Sequence, residues 1–262
     1  MNIESLCELV DPIISLEIED AVLIIKFGND VFDLFTDMDK RHGYFQLMDA
    51  VEDDDSIKVV LMLCKPDCLN EEAYKKFMET MCDTDVNLEN IGDSFKFKES
   101  ENRINQLNFQ RYVIERRVAS KKIFISGLRG TVVTPFFGEA LASDLRYVSD
   151  DMHFSLAHKK YGLYPTGALA FFLPKYIGQG RSIELMLTVD SINAEQALNL
   201  GLINRILQTK DFESRCIQMA KEVSSLSMGT LSSTKLLSTS YKKELNEYFD
   251  TEETLISNWH AW

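Results

Sequence analysis

The chain has 262 residues, 45% hydrophobic and 26% charged, with 41 acidic residues against 28 lysines and arginines and a formal net charge of −13. That apolar fraction suffices to bury a real core in one large domain, or in a domain with an extension. The acidic balance argues against a nucleic-acid partner, whose phosphates it would repel, although a few local cations suffice for one small anionic ligand. No apolar run reaches the roughly 20 residues of a membrane span, and the acidic start MNIESLCELVDPIISLEIED lacks the basic residues of a signal peptide. Five scattered cysteines (Cys7, Cys64, Cys68, Cys82, Cys216) read as reduced thiols, the expectation for a cytoplasmic protein. Cys64 and Cys68 lack the second Cys or His pair of a structural metal site, so neither metal nor cofactor is expected.

In chain order, residues 15–27 read as two short strands around an Asp20-Ala21 turn, the second alternating β-branched side chains. Tyr44, Leu47, Met48 and Val51 recur at helical spacing and predict a helix over 42–51. The acidic stretch Glu52-Asp53-Asp54-Asp55 reads as a solvated loop, and 57–64, apolar on both faces, as a buried strand of a parallel sheet. Residues 65–120 are polar and mostly helical, with a charged, Asn-rich loop over 83–99 and a helix over 102–120. A second buried strand follows at 122–127, then a helix of small side chains at 138–143 and short strands at 146–148 and 152–156. Helices take over at 168–176, 180–187, 194–200, 211–224, 231–240 and 245–260. Strand–helix alternation followed by a helical tail indicates an α/β fold, with a core over 1–205 and a C-terminal helical region over 206–262.

Three motifs stand out. The first is a short apolar strand leading to Gly130, then a turn, a small-residue helix and Ala142-Ser143-Asp144-Leu145-Arg146. The second is Phe154-Ser155-Leu156-Ala157-His158 with Gly162-Leu163-Tyr164-Pro165-Thr166-Gly167-Ala168. The third joins Leu173-Pro174 and Ile177-Gly178 to Ile192-Asn193-Ala194-Glu195-Gln196-Ala197 and Gly201-Leu202-Ile203. In order and spacing these resemble the enoyl-CoA hydratase/isomerase (crotonase) superfamily, over about 15–255 and most closely after Lys122. The resemblance implies a spiral core of ββα units with a C-terminal helical trimerisation region, and hence a homotrimer or hexamer. It implies as substrate an acyl-CoA or acyl-carrier thioester, processed through an enolate-like intermediate whose oxygen is held by two backbone N–H groups.

The chain departs from that pattern where the chemistry sits. One oxyanion donor matches Pro135, which has no N–H. Either the turn is rebuilt so that Phe136 or Phe137 donates, or this half of the hole is absent, and absence is the reading taken. The other donor belongs to the loop Cys64-Lys65-Pro66-Asp67-Cys68-Leu69-Asn70, where Cys68 and Leu69 are the nearest candidates. Of the two glutamates that serve hydratases of the family as general acid and base, the first matches Gly138. Glu139 follows it, but one helical step turns a side chain by about 100°, so a pairing role competes with a catalytic one.

The second glutamate matches His158, a candidate proton carrier near neutral pH or a polar residue lining a vestigial pocket. Tyr161 and Gly167 are candidate substrate contacts, with packing and loop geometry as alternatives; Gly167 lies in a loop opening a helix N-terminus, a place suited to anions. Lys235 matches a lysine that reaches the coenzyme A phosphates. Asp144 and Arg146 resemble a structural pair, and Glu252 and Glu253 read as surface. A serine hydrolase is disfavoured by the absence of a Gly-x-Ser-x-Gly elbow.

Two readings follow. One is an acyl-thioester protein with isomerase, decarboxylase or hydrolase chemistry and no two-glutamate hydration. The other is a non-catalytic binding or assembly subunit. The pocket discriminates between them: an open acyl cavity suits the first, whereas filling by Phe136, Phe137, Phe171 or Phe172 suits the second.

Overall fold

The computed structural model describes residues 13–81 and 101–257. The expected loop at 83–99, Cys7, Cys82 and the two tryptophans lie outside these. In chain order the elements are β1 (Ile14–Glu19), β2 (Val22–Phe27), α1 (Met38–Asp53), β3 (Val59–Cys64), α2 (Glu71–Thr80), α3 (Glu101–Ala119), β4 (Ile123–Leu128), β5 (Thr131–Val133), α4 (Phe136–Leu141), β6 (Leu145–Ser149), β7 (His153–Ser155), α5 (Leu169–Ile177), α6 (Gln179–Thr188), β8 (Ser191–Asn193), α7 (Ala194–Asn199), β9 (Arg205–Leu207), α8 (Phe212–Ser224), α9 (Met228–Ser238) and α10 (Lys242–Ser257).

Six strands form one sheet in the order β1-β2-β3-β4-β6-β9, with β1 antiparallel to β2 and every other neighbour parallel. The hairpin turns at Asp20, whose φ of 55° is a conformation Asp tolerates better than most residues. Successive side chains on a strand point to opposite faces, and here each face is covered. Leu23, Ile25, Val60, Met62 and Phe124 join Leu47 and Val51 of α1 and Ile114 and Val118 of α3 in one core cluster. Val22, Ile24, Val59, Leu61, Ile123 and Ile125 join Phe212, Cys216 and Ala220 of α8 and Leu231 of α9 in another. Burial on both faces is why β3 reads as an unbroken apolar run, and it makes the C-terminal helices part of the core. The sheet ends at β9, two residues into the stretch assigned to the helical region.

A second sheet, β5-β7-β8, was not expected. Strands of three residues carry too few positions to display a period, so the stretch after Gly130 reads as a turn. Instead Thr131, Val132 and Val133 pair in parallel with His153, Phe154 and Ser155. Among the described residues no helix is long and apolar enough to cross a membrane.

Candidate functional site

The parallel strands β2, β3 and β4 end at Phe27, Cys64 and Leu128 on one edge of the sheet. Open α/β sheets place ligands outside the carboxyl ends of such strands, and two adjoining cavities lie here. The outer one is a cleft of about 360 Å³ lined by Lys26, Lys65, Arg129, Phe212 and Glu213 among others. The inner one is an apolar chamber of about 50 Å³, walled by residues such as Leu34, Met62, Leu69 and Phe136, into which Arg117 and Glu139 bring charge. Phe27 and Cys64, paired in the parallel register, line both cavities and stand between them.

The outer cleft is locally basic on an acidic chain. Lys26 is neutralised by Glu17 at 3.1 Å and Glu213 at 2.7 Å. Lys65 is exposed, with no ion-pair partner among the described residues. Arg129 lies over the Phe212 ring at 5.7 Å, and its buried Nε has no acceptor among the described residues.

The chamber is small because aromatics fill it. Phe136 meets Phe32 edge-on at 5.3 Å and lies 5.7 Å from Phe35, which in turn packs against Phe109 at 5.4 Å. Of the four aromatics expected to close the pocket, Phe136 alone lines it. Phe137 stacks on Phe154 at 4.0 Å, and Phe171 and Phe172 pack against Tyr241 at 5.8 and 5.9 Å. Phe32, Phe35 and Phe109 come from distant parts of the chain, so sequence order gave no sign that they meet Phe136.

Glu139 enters the chamber from α4 and is held by Arg117 of α3, whose Nη2 lies 2.9 Å from Glu139 Oε1. Arg117 also donates to the Glu139 carbonyl at 2.8 Å and to Ser143 Oγ at 3.2 Å. Sequence reading missed Arg117, because it sits in a polar helix and its partner lies 22 residues away. Burial pushes the Tyr44 phenol up to about 12, keeping this neighbour of the pair neutral.

Pro135 stands immediately before α4 and supplies no N–H. The N–H groups of Phe136 and Phe137, in the first turn of that helix, have no acceptor among the described residues, nor has that of Leu69 on the chamber wall. Gly138 faces backbone, not ligand. A Cβ there would come within 2.6 Å of Leu169 N and closer still to Gly167 O. Gly167, at φ 70°, in turn presses against the Pro135 carbonyl. The loop expected to present a helix N-terminus to an anion is therefore closed by backbone packing.

His158 is 4% exposed and lines neither cavity. Its Nε2 donates to the Met186 carbonyl at 3.2 Å, and its Nδ1 faces Thr134 Oγ1 at 3.4 Å. Burial pushes its pKa down to about 4, against the opposing pull of the Met186 carbonyl, so the ring is neutral at pH 7. Tyr161 is likewise buried in the core, away from both cavities. Lys235 does not reach towards a ligand: its ammonium is buried on Asp144 Oδ2 at 2.8 Å and on the carbonyls of Arg117 and Lys122 at 2.7 and 2.8 Å. The expected Asp144–Arg146 pair is replaced by that contact, while Arg146 donates to the Leu202 and Ser143 carbonyls. Glu252, read as surface, is buried and accepts from the Tyr248 hydroxyl at 3.2 Å.

One pH effect follows. The unfolded chain protonates His158 near its ordinary 6.5, the folded protein only near 4. This residue's contribution is therefore complete above 6.5 and is lost as pH falls from 6.5 to about 4. Glu252, whose carboxyl burial pushes up to about 7, has the opposite slope: stability falls as pH rises from 4.5 to 7. That slope is common to wild type and His158→Gln and cancels in their difference. In urea unfolding, the stability of wild type minus that of His158→Gln should fall as pH drops from 6.5 to about 4; a difference that stays constant would contradict the buried neutral histidine.

A family profile described as enoyl-CoA hydratase/isomerase matches residues 92–261. Among curated relatives, 4-chlorobenzoyl coenzyme A dehalogenase-1 of Arthrobacter sp is 29% identical over 111 residues, 42% of this chain and 40% of that protein. A probable enoyl-CoA hydratase of Mycobacterium tuberculosis is 30% identical over 112 residues, 42% of this chain and 39% of its own. The matched stretch thus spans well under half the length of these relatives. Among solved structures, an enoyl-CoA hydratase from Bacillus halodurans superposes with a TM-score of 0.74 at 20% identity, covering 94% of each chain. An enoyl-CoA hydratase/isomerase from Cupriavidus metallidurans gives 0.68 at 18% identity, covering 93% of this chain and 88% of that one. At such identities these two likenesses speak for the fold.

Proposed function

Because the chain belongs to the enoyl-CoA hydratase/isomerase (crotonase) superfamily, we propose that it binds an acyl thioester, linked to coenzyme A or to a carrier, across the two adjoining cavities, and that it does not perform two-glutamate hydration. The observation that carries this reading is that Phe27 and Cys64 line both cavities. They stand between a cleft bearing Lys65 and Arg129, suited to the anionic end of such a ligand, and an apolar chamber suited to the acyl end. Relatives named for coenzyme A thioesters are consistent with it. A chamber of about 50 Å³ is far below the roughly 300–1,000 Å³ of a pocket for a drug-sized ligand, so the acyl group is short. Within the chamber Glu139 is the carboxylate in place for an enolate-type isomerase, decarboxylase or hydrolase step, held by Arg117. Assembly as a trimer or hexamer belongs to the same reading.

A second reading, a non-catalytic binding or assembly subunit, is favoured by Pro135 and by the closed packing at Gly138. Both readings are tested by equilibrium binding of acetyl-CoA and of acetyl-pantetheine, which lacks the nucleotide, together with turnover of short acyl-CoA substrates. The proposal expects acetyl-CoA to bind and the truncated analogue to bind far more weakly, with no hydration of a short enoyl-CoA. Binding without turnover of any acyl-CoA would select the non-catalytic reading. Equal, negligible affinity for both ligands would overturn the acyl-thioester site.

A further inference from the structure

Cys64 ends β3 between the two cavities and is the nucleophilic side chain common to the outer cleft and the inner chamber. Its thiol is hydrogen-bonded to that of Cys68, with Arg117 and Glu139 near enough to act on it electrostatically. Arg117, on the chamber wall, has four of its five N–H groups engaged. Nη1 serves the Glu139 carbonyl and Ser143 Oγ, and Nη2 serves Met62 Sδ and Glu139 Oε1. The fifth, on Nε, is buried without an acceptor among the described residues, on a side chain only 4% exposed. Buried donors in native proteins are nearly always matched, so an unmatched one beside a cavity points to an acceptor that arrives with a ligand.

We propose that Cys64 is an acyl acceptor: its thiol takes the acyl group from the thioester bound beside it, and the Arg117 Nε–H receives the charge that develops on the carbonyl oxygen. The inference rests on the acyl-thioester reading above. The Cys64 Sγ bonds to the carbonyl carbon, the bond from that carbon to the coenzyme A sulfur breaks, and the thiol proton of Cys64 leaves with the departing thiol. One thioester and one thiol become another thioester and another thiol, with no change of oxidation state. Arg117 would in this way supply a donor that Pro135 does not. The Cys68 hydrogen bond, burial and the Glu139 charge hold the Cys64 thiol protonated well above its ordinary range, so transfer accelerates into the alkaline range, because the thiolate is the attacking species.

The test is incubation of the full chain with acetyl-CoA, followed by intact-mass measurement and peptide mapping, with calorimetric binding of the same ligand in parallel. One acetyl group per chain is expected, on Cys64, absent from Cys64→Ser and retained in Cys68→Ser. Arg117→Lys should acylate about 100-fold more slowly. Should that variant fail to fold, the comparison becomes wild type folded against wild type in urea, where the folded chain must acylate faster and at Cys64 alone. Acetyl-CoA binding without an adduct overturns the acceptor and leaves the binding site standing; no binding overturns both. Equal labelling of several cysteines, or of the unfolded chain, also overturns the acceptor.

Discussion

Replacing Gly138 with glutamate is expected to cost about 3 kcal/mol of stability and to yield no hydratase activity, although it restores the residue that the family places there. The reason is steric. Helix α4 is seated on the turn that opens α5, and even a Cβ on Gly138 would meet Leu169 N at 2.6 Å and the Gly167 carbonyl more closely. The blocking atoms are backbone on both sides, so no side chain can swing away to make room. Gly138→Ala should accordingly lose nearly as much as Gly138→Glu. For a chain of this size the change corresponds to a melting point lower by about 6–12 °C. Thermal unfolding and a hydration assay on a short enoyl-CoA check both halves. An undiminished melting point would contradict the packing, and hydration above wild type would contradict the closed site.

Lys235→Met is the second large effect, expected at about 3–5 kcal/mol, the cost of leaving a buried partner charge uncompensated. Lys235 and Asp144 have side chains only 3% and 17% exposed, and their contact at 2.8 Å joins α9 to the start of β6. The Asp144 carboxylate also accepts the Phe124 N–H at 2.8 Å, and the ammonium satisfies the Arg117 and Lys122 carbonyls. Burial pulls the lysine's pKa down and the Asp144 charge opposes that pull. If the penalty comes from the orphaned carboxylate, adding Asp144→Asn to Lys235→Met should recover part of it, a coupling that a double-mutant cycle in urea measures. A loss within about 0.5 kcal/mol, the usual range for a surface substitution, would mean that Lys235 is free to serve a ligand after all.

The fold was legible where burial writes a period into the chain. β3 could be read because Val59 to Leu63 are buried on both faces, and the motifs around Gly130, Asp144 and Gly167 carried the resemblance through their spacing. β5, β8 and β9, three residues each, were not read as strands, whereas β7, equally short, was read at 152–156. The site was legible by position but not by partner. Pro135 and Gly138 were singled out as departures from the family pattern, yet only the approach of Gly167 shows that the Gly138 position is closed. His158 has its hydrogen-bond partner 28 residues later in α6. Lys235, matched in sequence to a lysine that reaches the coenzyme A phosphates, is 5% exposed although its neighbours Leu236 and Leu237 are exposed at 63% and 81%. Local sequence does not reveal that three oxygens from elsewhere converge on its ammonium.

The most direct measurement is calorimetric titration of acetyl-CoA into the wild type and into Arg129→Glu. Arg129 brings a cation to the outer cleft, with an Nε that finds no acceptor among the described residues. A hydrogen bond to a charged group contributes about 1.5–3 kcal/mol, so removing and reversing that charge should weaken binding by about tenfold or more. Saturable one-to-one binding by the wild type, weakened to that degree in the variant, is the result this account predicts. No heat with either protein, or the same affinity in both, would contradict it.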